Sequence, residues 1–148
     1  MSVGWPKMYR SMIGQGSSTA VVPATGTADN MLGARVPPHP RADVHPDPSG
    51  SVGPVGEGLS VAPGLATLPL PLVPQRLRDK RPGARGRNTL QVFSLGEKGF
   101  SRAAVGSSLE LMPTSSKHGV VQPIGPMPIG EYQEQLAATQ AFWRVDEI

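Results

Sequence analysis

The 148-residue chain contains no cysteine. Disulfides and thiolate metal sites are therefore excluded. A chain without cysteine suits a reducing cytosol, and suits export equally well. Histidine is scarce too. His39 and His45 lie in the proline-rich "RVPPHPRADVHPDP", where three convergent ligands are not expected, so no metal site is expected. Long apolar runs are also absent. The longest, "LATLPLPLVP" (65–74), is short and broken by prolines, so nothing there spans a membrane. The N-terminal "MSVGWPKMYRSMIG" has no continuous apolar stretch of the kind a secretory leader needs. The expected location is cytoplasmic, or outside the cell by a route that reads no conventional signal peptide. Sequence motifs are as sparse: there is no G-x-S-x-G elbow, no P-loop, and no G-x-G-x-x-G opening a helix.

What the chain does have is glycine (18) and proline (17), with 38% apolar residues. That composition borders on low complexity and predicts one small domain, 1–148, carrying substantial irregular chain. Net charge is +3, and six of the fourteen cations fall in "RLRDKRPGARGR", 76–87. Such a cluster can contact an anion or a nucleic acid. With no interleaved aromatics, zinc spacing or RNA-binding signature, a solvated basic loop is favoured over a nucleic-acid site.

Three zones follow along the chain. In residues 1–22, Trp5, Met8, Tyr9, Met12 and Ile13 predict a strand ended by Gly14 and Gly16, with "TAVV" (19–22) extending or following it. Residues 23–87 hold twelve of the prolines and show no helical period, which predicts a Pro/Gly-rich loop or flexible insert. Within it, "GEGLSVAPG" (56–64) is the best short strand, with Leu59 and Val61 alternating with Ser60, and "LATLPLPLVPQRLRD" suits a polyproline-like arm or a short terminal helix. Residues 88–148 read as folded. "NTLQVFSL", "SSLELMP" and "HGVVQP" predict three strands. Ile129, Tyr132, Leu136, Thr139 or Gln140, and Trp143 then share one face at helical spacing from Pro128 to Arg144. Glu131 and Glu134 lie near the helix start and Arg144 near its end, as the macrodipole favours. Strands, loops, more strands and a terminal helix predict an α+β domain with a mainly antiparallel sheet.

Two side chains stand out chemically. His118 opens the best-organised stretch, although an isolated histidine in this position most often simply holds a loop. Arg10 lies on the first predicted strand directly after an aromatic. Its guanidinium fork suits a diphosphate better than a lysine would, and the competing role is an exposed edge residue.

"MYR" (8–10), shortly after "WP", resembles the aromatic-Arg start of the ADP-ribosyltransferase-like toxin domains of type VI secretion effectors, which have fungal relatives. The C-terminal block resembles them more closely: His118, Pro123, Pro126 and Met127, followed by "IGEYQEQL". "LEL" (109–111) resembles the family's preceding strand, and "GLSVAP" (58–63) its Gly-x-Ser-x-x-Pro block. The three blocks cover about half the chain.

The resemblance implies a small α+β fold of two sheets, mainly antiparallel, with an NAD-binding cleft. It implies transfer of ADP-ribose from NAD, as substrate, to an unknown macromolecular or small-molecule target, and a cognate antitoxin as a possible partner. Arg10 would hold the dinucleotide phosphates and Ser60 would support the nicotinamide-ribose pocket. His118 would stand near the ribose or target, so that Ser60 and His118 are the candidate catalytic residues. Tyr9, and more weakly Tyr132, would stack. Such enzymes normally place a glutamate beside the cationic ribose. No glutamate falls at or just before His118; Gln122 is the nearest amide, and Glu110 lies across the turn. Two alternatives accompany this expectation: a non-catalytic interaction protein using the proline-rich arm, and a family member that keeps the fold without turnover.

Overall fold

A computed structural model of the chain describes residues 4–16, 21–24 and 30–147. Twelve short strands occur among them. β1 (Met8–Gln15), β2 (Val22–Pro23), β3 (Asn30–Met31), β4 (Ala34–Arg35), β5 (Ser51–Val52) and β6 (Leu59–Val61) precede a coil with three 3-10 turns, Leu65–Thr67, Leu70–Leu72 and Gln75–Leu77. β7 (Leu90–Leu95), β8 (Ala103–Val105), β9 (Leu109–Pro113), β10 (Gly119–Pro123) and β11 (Met127–Pro128) lead into α1 (Ile129–Ala137). A 3-10 turn and β12 (Arg144–Val145) follow. Two four-stranded sheets result, in the orders β12-β7-β1-β2 and β6-β10-β9-β8. Their pairings are antiparallel. The molecule is thus the strand-rich α+β domain with one principal helix that the sequence predicts.

Alternation explains the layers. Met8 and Met12 of β1 face the same way as Phe93 and Leu95 of β7. They meet Leu59 and Val61 of β6, Leu109 and Leu111 of β9, and Val121 of β10 in one core. α1 adds Tyr132 and Leu136 to that core, and Trp143 joins from beyond the helix. The Tyr132 hydroxyl donates to Val121 O (2.6 Å) and accepts from Leu59 N (3.0 Å), so it closes the ladder where β6 and β10 diverge. Gly58 is required there: its φ is +153°, and a β-carbon would strike Val121 O and the Tyr132 hydroxyl.

The proline-rich zone has only short strands, but it is packed rather than flexible: Leu32, Ala34, Val36, Val44 and Val52 enter the first core. Leu68, Val73, Leu77 and Ala84 form a second core with Ala62 and Val92, with Tyr9 and Leu65 against it. Prolines leave carbonyls without ladder partners. The basic cluster supplies donors to them: Arg81 to Leu65 O and Leu68 O, Arg78 to Ala84 O, and Arg76 to Leu90 O. Arg76 also pairs with Glu147 at 2.7 Å. Much of the cluster therefore braces the coil.

The terminal helix is shorter than its apolar stripe suggests. α1 stops at Ala137, and Arg144 opens β12 instead of ending the helix. The Thr139 hydroxyl donates to Leu136 O (2.7 Å) and accepts from Trp143 Nε1 (3.0 Å). This turns the chain so that residues 144–147 run along β7, with Asp146 N donating to Val92 O. Pro128 sits at the N-cap, one residue before the predicted first turn. Of "TAVV", Val22 is in β2, whereas Thr19 and Ala20 lie outside the described residues.

Candidate functional site

The two sheets meet at one rung. Tyr9 and Ala62 exchange both backbone hydrogen bonds, 2.7 Å from Tyr9 N and 2.9 Å from Ala62 N. Beyond this rung β1 and β6 separate. β1 next pairs at Gly14–Gln15 with β2, and Ile13 O accepts from Ala24 N.

Ser11 is the residue left between. Its neighbour across β1–β7 is Val92. Val92 N is bonded to Glu147 Oε2 (3.0 Å) and Val92 O to Asp146 N (2.8 Å), both on the far side of β7. Ser11 and Val92 are consequently a non-hydrogen-bonded pair, and the Ser11 N–H and C=O point away from β7, as those of Tyr9 do. Among the described residues neither finds a hydrogen-bond partner. The buried Ser11 hydroxyl has none either. Unpartnered buried polar groups are uncommon enough to require a reason. Here they border a cavity of about 330 Å³ lined by Ser11, Met12, Ile13, Ala24, Leu32, Gly33 and Leu90.

Arg10 touches two of the residues that line this cavity, Leu32 and Gly33. Its Nε donates to Leu32 O (3.2 Å) and its Nη1 to Ser60 O (2.7 Å), so the guanidinium ties β6 to the β3–β4 turn. Gly33, with φ at +86°, leaves room for it: a β-carbon there would lie 2.7 Å from Arg10 Nη2. Burial lowers the Arg10 pKa to about 10, against a partial opposing effect from Asp43. By accessible surface Arg10 is only half-buried. The cation remains charged at neutral pH. Among the described residues no carboxylate lies within 4.0 Å of it; its hydrogen bonds go to neutral carbonyls.

The other predicted residues are distributed around this opening. Ser60 is in contact through its carbonyl and is half-buried. Tyr9 forms the closing rung and packs on the second core. The Gly119–Val61 register brings His118 to the level of Ala62, on the same row as Tyr9. Its ring, however, is exposed, and Nδ1 lies 2.8 Å from Thr114 Oγ1 in the β9–β10 turn. Among the described residues no hydrogen bond joins His118 to Arg10 or Ser60. Tyr132 is wholly buried and bridges strands.

Glu110 and Gln122, which sequence separates by a turn, are cross-strand partners. Gln122 Nε2 donates to Glu110 Oε2 (2.7 Å), and Gln122 Oε1 accepts from Gly56 N (2.9 Å). Arg102 completes the set at 3.0 Å and is the main reason the Glu110 carboxyl is held below its ordinary value. Among the described residues no His, Cys, Asp and Glu group suited to a metal occurs, and no helix is long and apolar enough to cross a membrane.

The sequence singles out Arg10 and Ser60, which the structure joins by a hydrogen bond, but not Ser11, Leu32 and Gly33, which line the cavity. Ser11 reads as an ordinary strand residue; its rung depends on where β6 and β2 pair with β1. No family model matches the chain, and neither does any curated protein or solved structure.

Proposed function

We propose that this protein is a toxin-like domain of the ADP-ribosyltransferase fold that binds NAD in the opening between β1 and β6 and transfers its ADP-ribose to a target. The single observation carrying this reading is the Arg10 guanidinium, bonded among the described residues to neutral carbonyls, beside a Ser11 rung that none of those residues pairs. A cation so placed attracts an anionic ligand, and the fork suits phosphate oxygens. The Ser11 N–H and C=O offer one donor and one acceptor side by side. A primary carboxamide, such as that of nicotinamide, presents the complementary acceptor and donor. The cavity is at the small end of the ligand-pocket range of roughly 300–1,000 Å³, with room for one end of a dinucleotide.

In this reading Arg10 holds the diphosphate, the Ser11 rung orients the carboxamide, and Ser60 flanks the adjoining ribose. Tyr9 lies at the closed end. The bond between the nicotinamide nitrogen and the ribose carbon breaks, nicotinamide leaves with the electron pair, and a nucleophile of the target bonds to the cationic carbon. Positioning and preorganised polar groups supply the catalysis. Glu110 is engaged by Arg102 and Gln122, so charge at the ribose is left to groups such as Ser60 and His118. A cognate antitoxin that covers the opening would silence the domain.

Expression in bacteria or yeast tests the proposal. The wild type should arrest growth and His118→Ala should relieve the arrest at equal protein level. A harmless wild type, or an alanine variant of undiminished toxicity, removes the toxin reading.

A further inference from the structure

Close to Arg10 stands a second guanidinium whose pairing is unusually loose. Arg35 lies on β4, two residues after the Gly33 that faces Arg10. Its backbone is held firmly: Arg35 N donates to Asp43 Oδ2 at 2.7 Å, and Asp43 N donates to Arg35 O at 2.6 Å. Its guanidinium is not. Nε and Nη2 reach the Asp43 carboxylate only at 3.4 and 3.5 Å, at the outer limit of a hydrogen bond. Oδ2 is already engaged by the Arg35 backbone, and the Arg35 side chain keeps 39% of its surface exposed. The charges of both Asp43 and Arg35 reach the Arg10 guanidinium.

We infer that Arg35 is a second anion-binding residue of the cleft, so that Arg10 and Arg35 together select a diphosphate over a single phosphate, with Asp43 as the intramolecular competitor that the ligand displaces. The inference rests on the dinucleotide reading for its natural ligand, but its chemistry is that of the diphosphate alone. Arg10 supplies a fixed fork. Arg35 supplies a second, partly exposed fork, with donors left over from its long contact with Asp43. Asp43 keeps the pair of cations from repelling one another in the empty cleft. An incoming diphosphate takes over that neutralisation with better geometry.

The test is titration calorimetry of the full chain at low salt with inorganic pyrophosphate, orthophosphate and NAD, comparing wild type, Arg35→Gln, Arg35→Lys and Asp43→Asn. Arg35→Gln should weaken pyrophosphate and NAD by about tenfold, the scale of one charge-assisted contact, and change orthophosphate little. Arg35→Lys should fall between Gln and wild type. Asp43→Asn should tighten pyrophosphate by about threefold, because it removes the competing charge but keeps an acceptor for Arg35 N. That opposite sign separates the inference from a folding defect. Unchanged pyrophosphate affinity in Arg35→Gln, or weakened affinity in Asp43→Asn, overturns it. If pyrophosphate follows the expected pattern while NAD gives no heat, Arg35 stands and the NAD reading fails. If NAD binds normally to Arg35→Gln, the NAD reading stands and Arg35 fails.

Discussion

Glu110 is buried and Arg10 is half-buried, and the surroundings of these two charges differ in kind. Glu110 meets an opposite charge and an amide: Arg102 and Gln122 occupy its oxygens, and Gln122 is anchored in turn by Gly56 N. Arg10 meets the carbonyls of Leu32 and Ser60. The first arrangement leaves no charge over, and such groups hold structure together. The second is a cation whose partners among the described residues are neutral, beside a Ser11 rung that none of those residues pairs, which is the condition that favours a ligand.

The matched side of the comparison breaks most severely at Gln122. Gln122→Leu strips the Gly56 N–H of its acceptor and the Glu110 Oε2 of one of its two donors, leaving Arg102 alone on that carboxylate, and should cost about 3 kcal/mol in denaturant unfolding while NAD affinity changes little. Tyr132→Phe comes next. It strips the hydroxyl shared by Leu59 N and Val121 O, and about 2 kcal/mol should be lost.

Acid sharpens the same comparison. Because Arg102 holds the Glu110 carboxyl below its ordinary value of 4.5, the folded state binds that proton less readily than the unfolded chain. The stabilisation is fully present above the unfolded value and disappears as pH falls through the folded one. Glu110→Gln should therefore be about 1 kcal/mol less stable at pH 7, and its stability should decline less between pH 5 and pH 3 than that of the wild type, measured by urea unfolding. His118→Ala should be the mildest. An exposed ring bonded to Thr114 should change stability by no more than about 0.5 kcal/mol, so any loss of toxicity in that variant reports on function and not on folding.

Local pattern made much of this legible. Alternation located the strands at 90–95, 109–113 and 119–123 and the start of α1, because each has one apolar face to bury. The early end of α1 was hidden, since Thr139 and Trp143 keep the helical spacing while their mutual hydrogen bond diverts the chain. The packed state of residues 62–84 was hidden as well. Prolines forbid a ladder, but they do not forbid Leu68, Val73 and Leu77 from packing on Val92 once Arg78 and Arg81 satisfy the carbonyls. For the site, Arg10 and Ser60 were legible as residue types on strands. Ser11 was not, because its place in the sheet is defined by strands distant in sequence.

The most direct test of the difference between the two charges is calorimetric titration of NAD into the wild type and Arg10→Met, with thermal midpoints recorded for both. Saturable one-to-one binding is expected for the wild type. Arg10→Met should bind at least about tenfold more weakly, and its midpoint should fall only modestly, because Leu32 O and Ser60 O lose their donor while the desolvation cost of the cation is relieved. Absence of binding by the wild type, or equal affinity in Arg10→Met, would contradict the role of Arg10 as the ligand-holding charge.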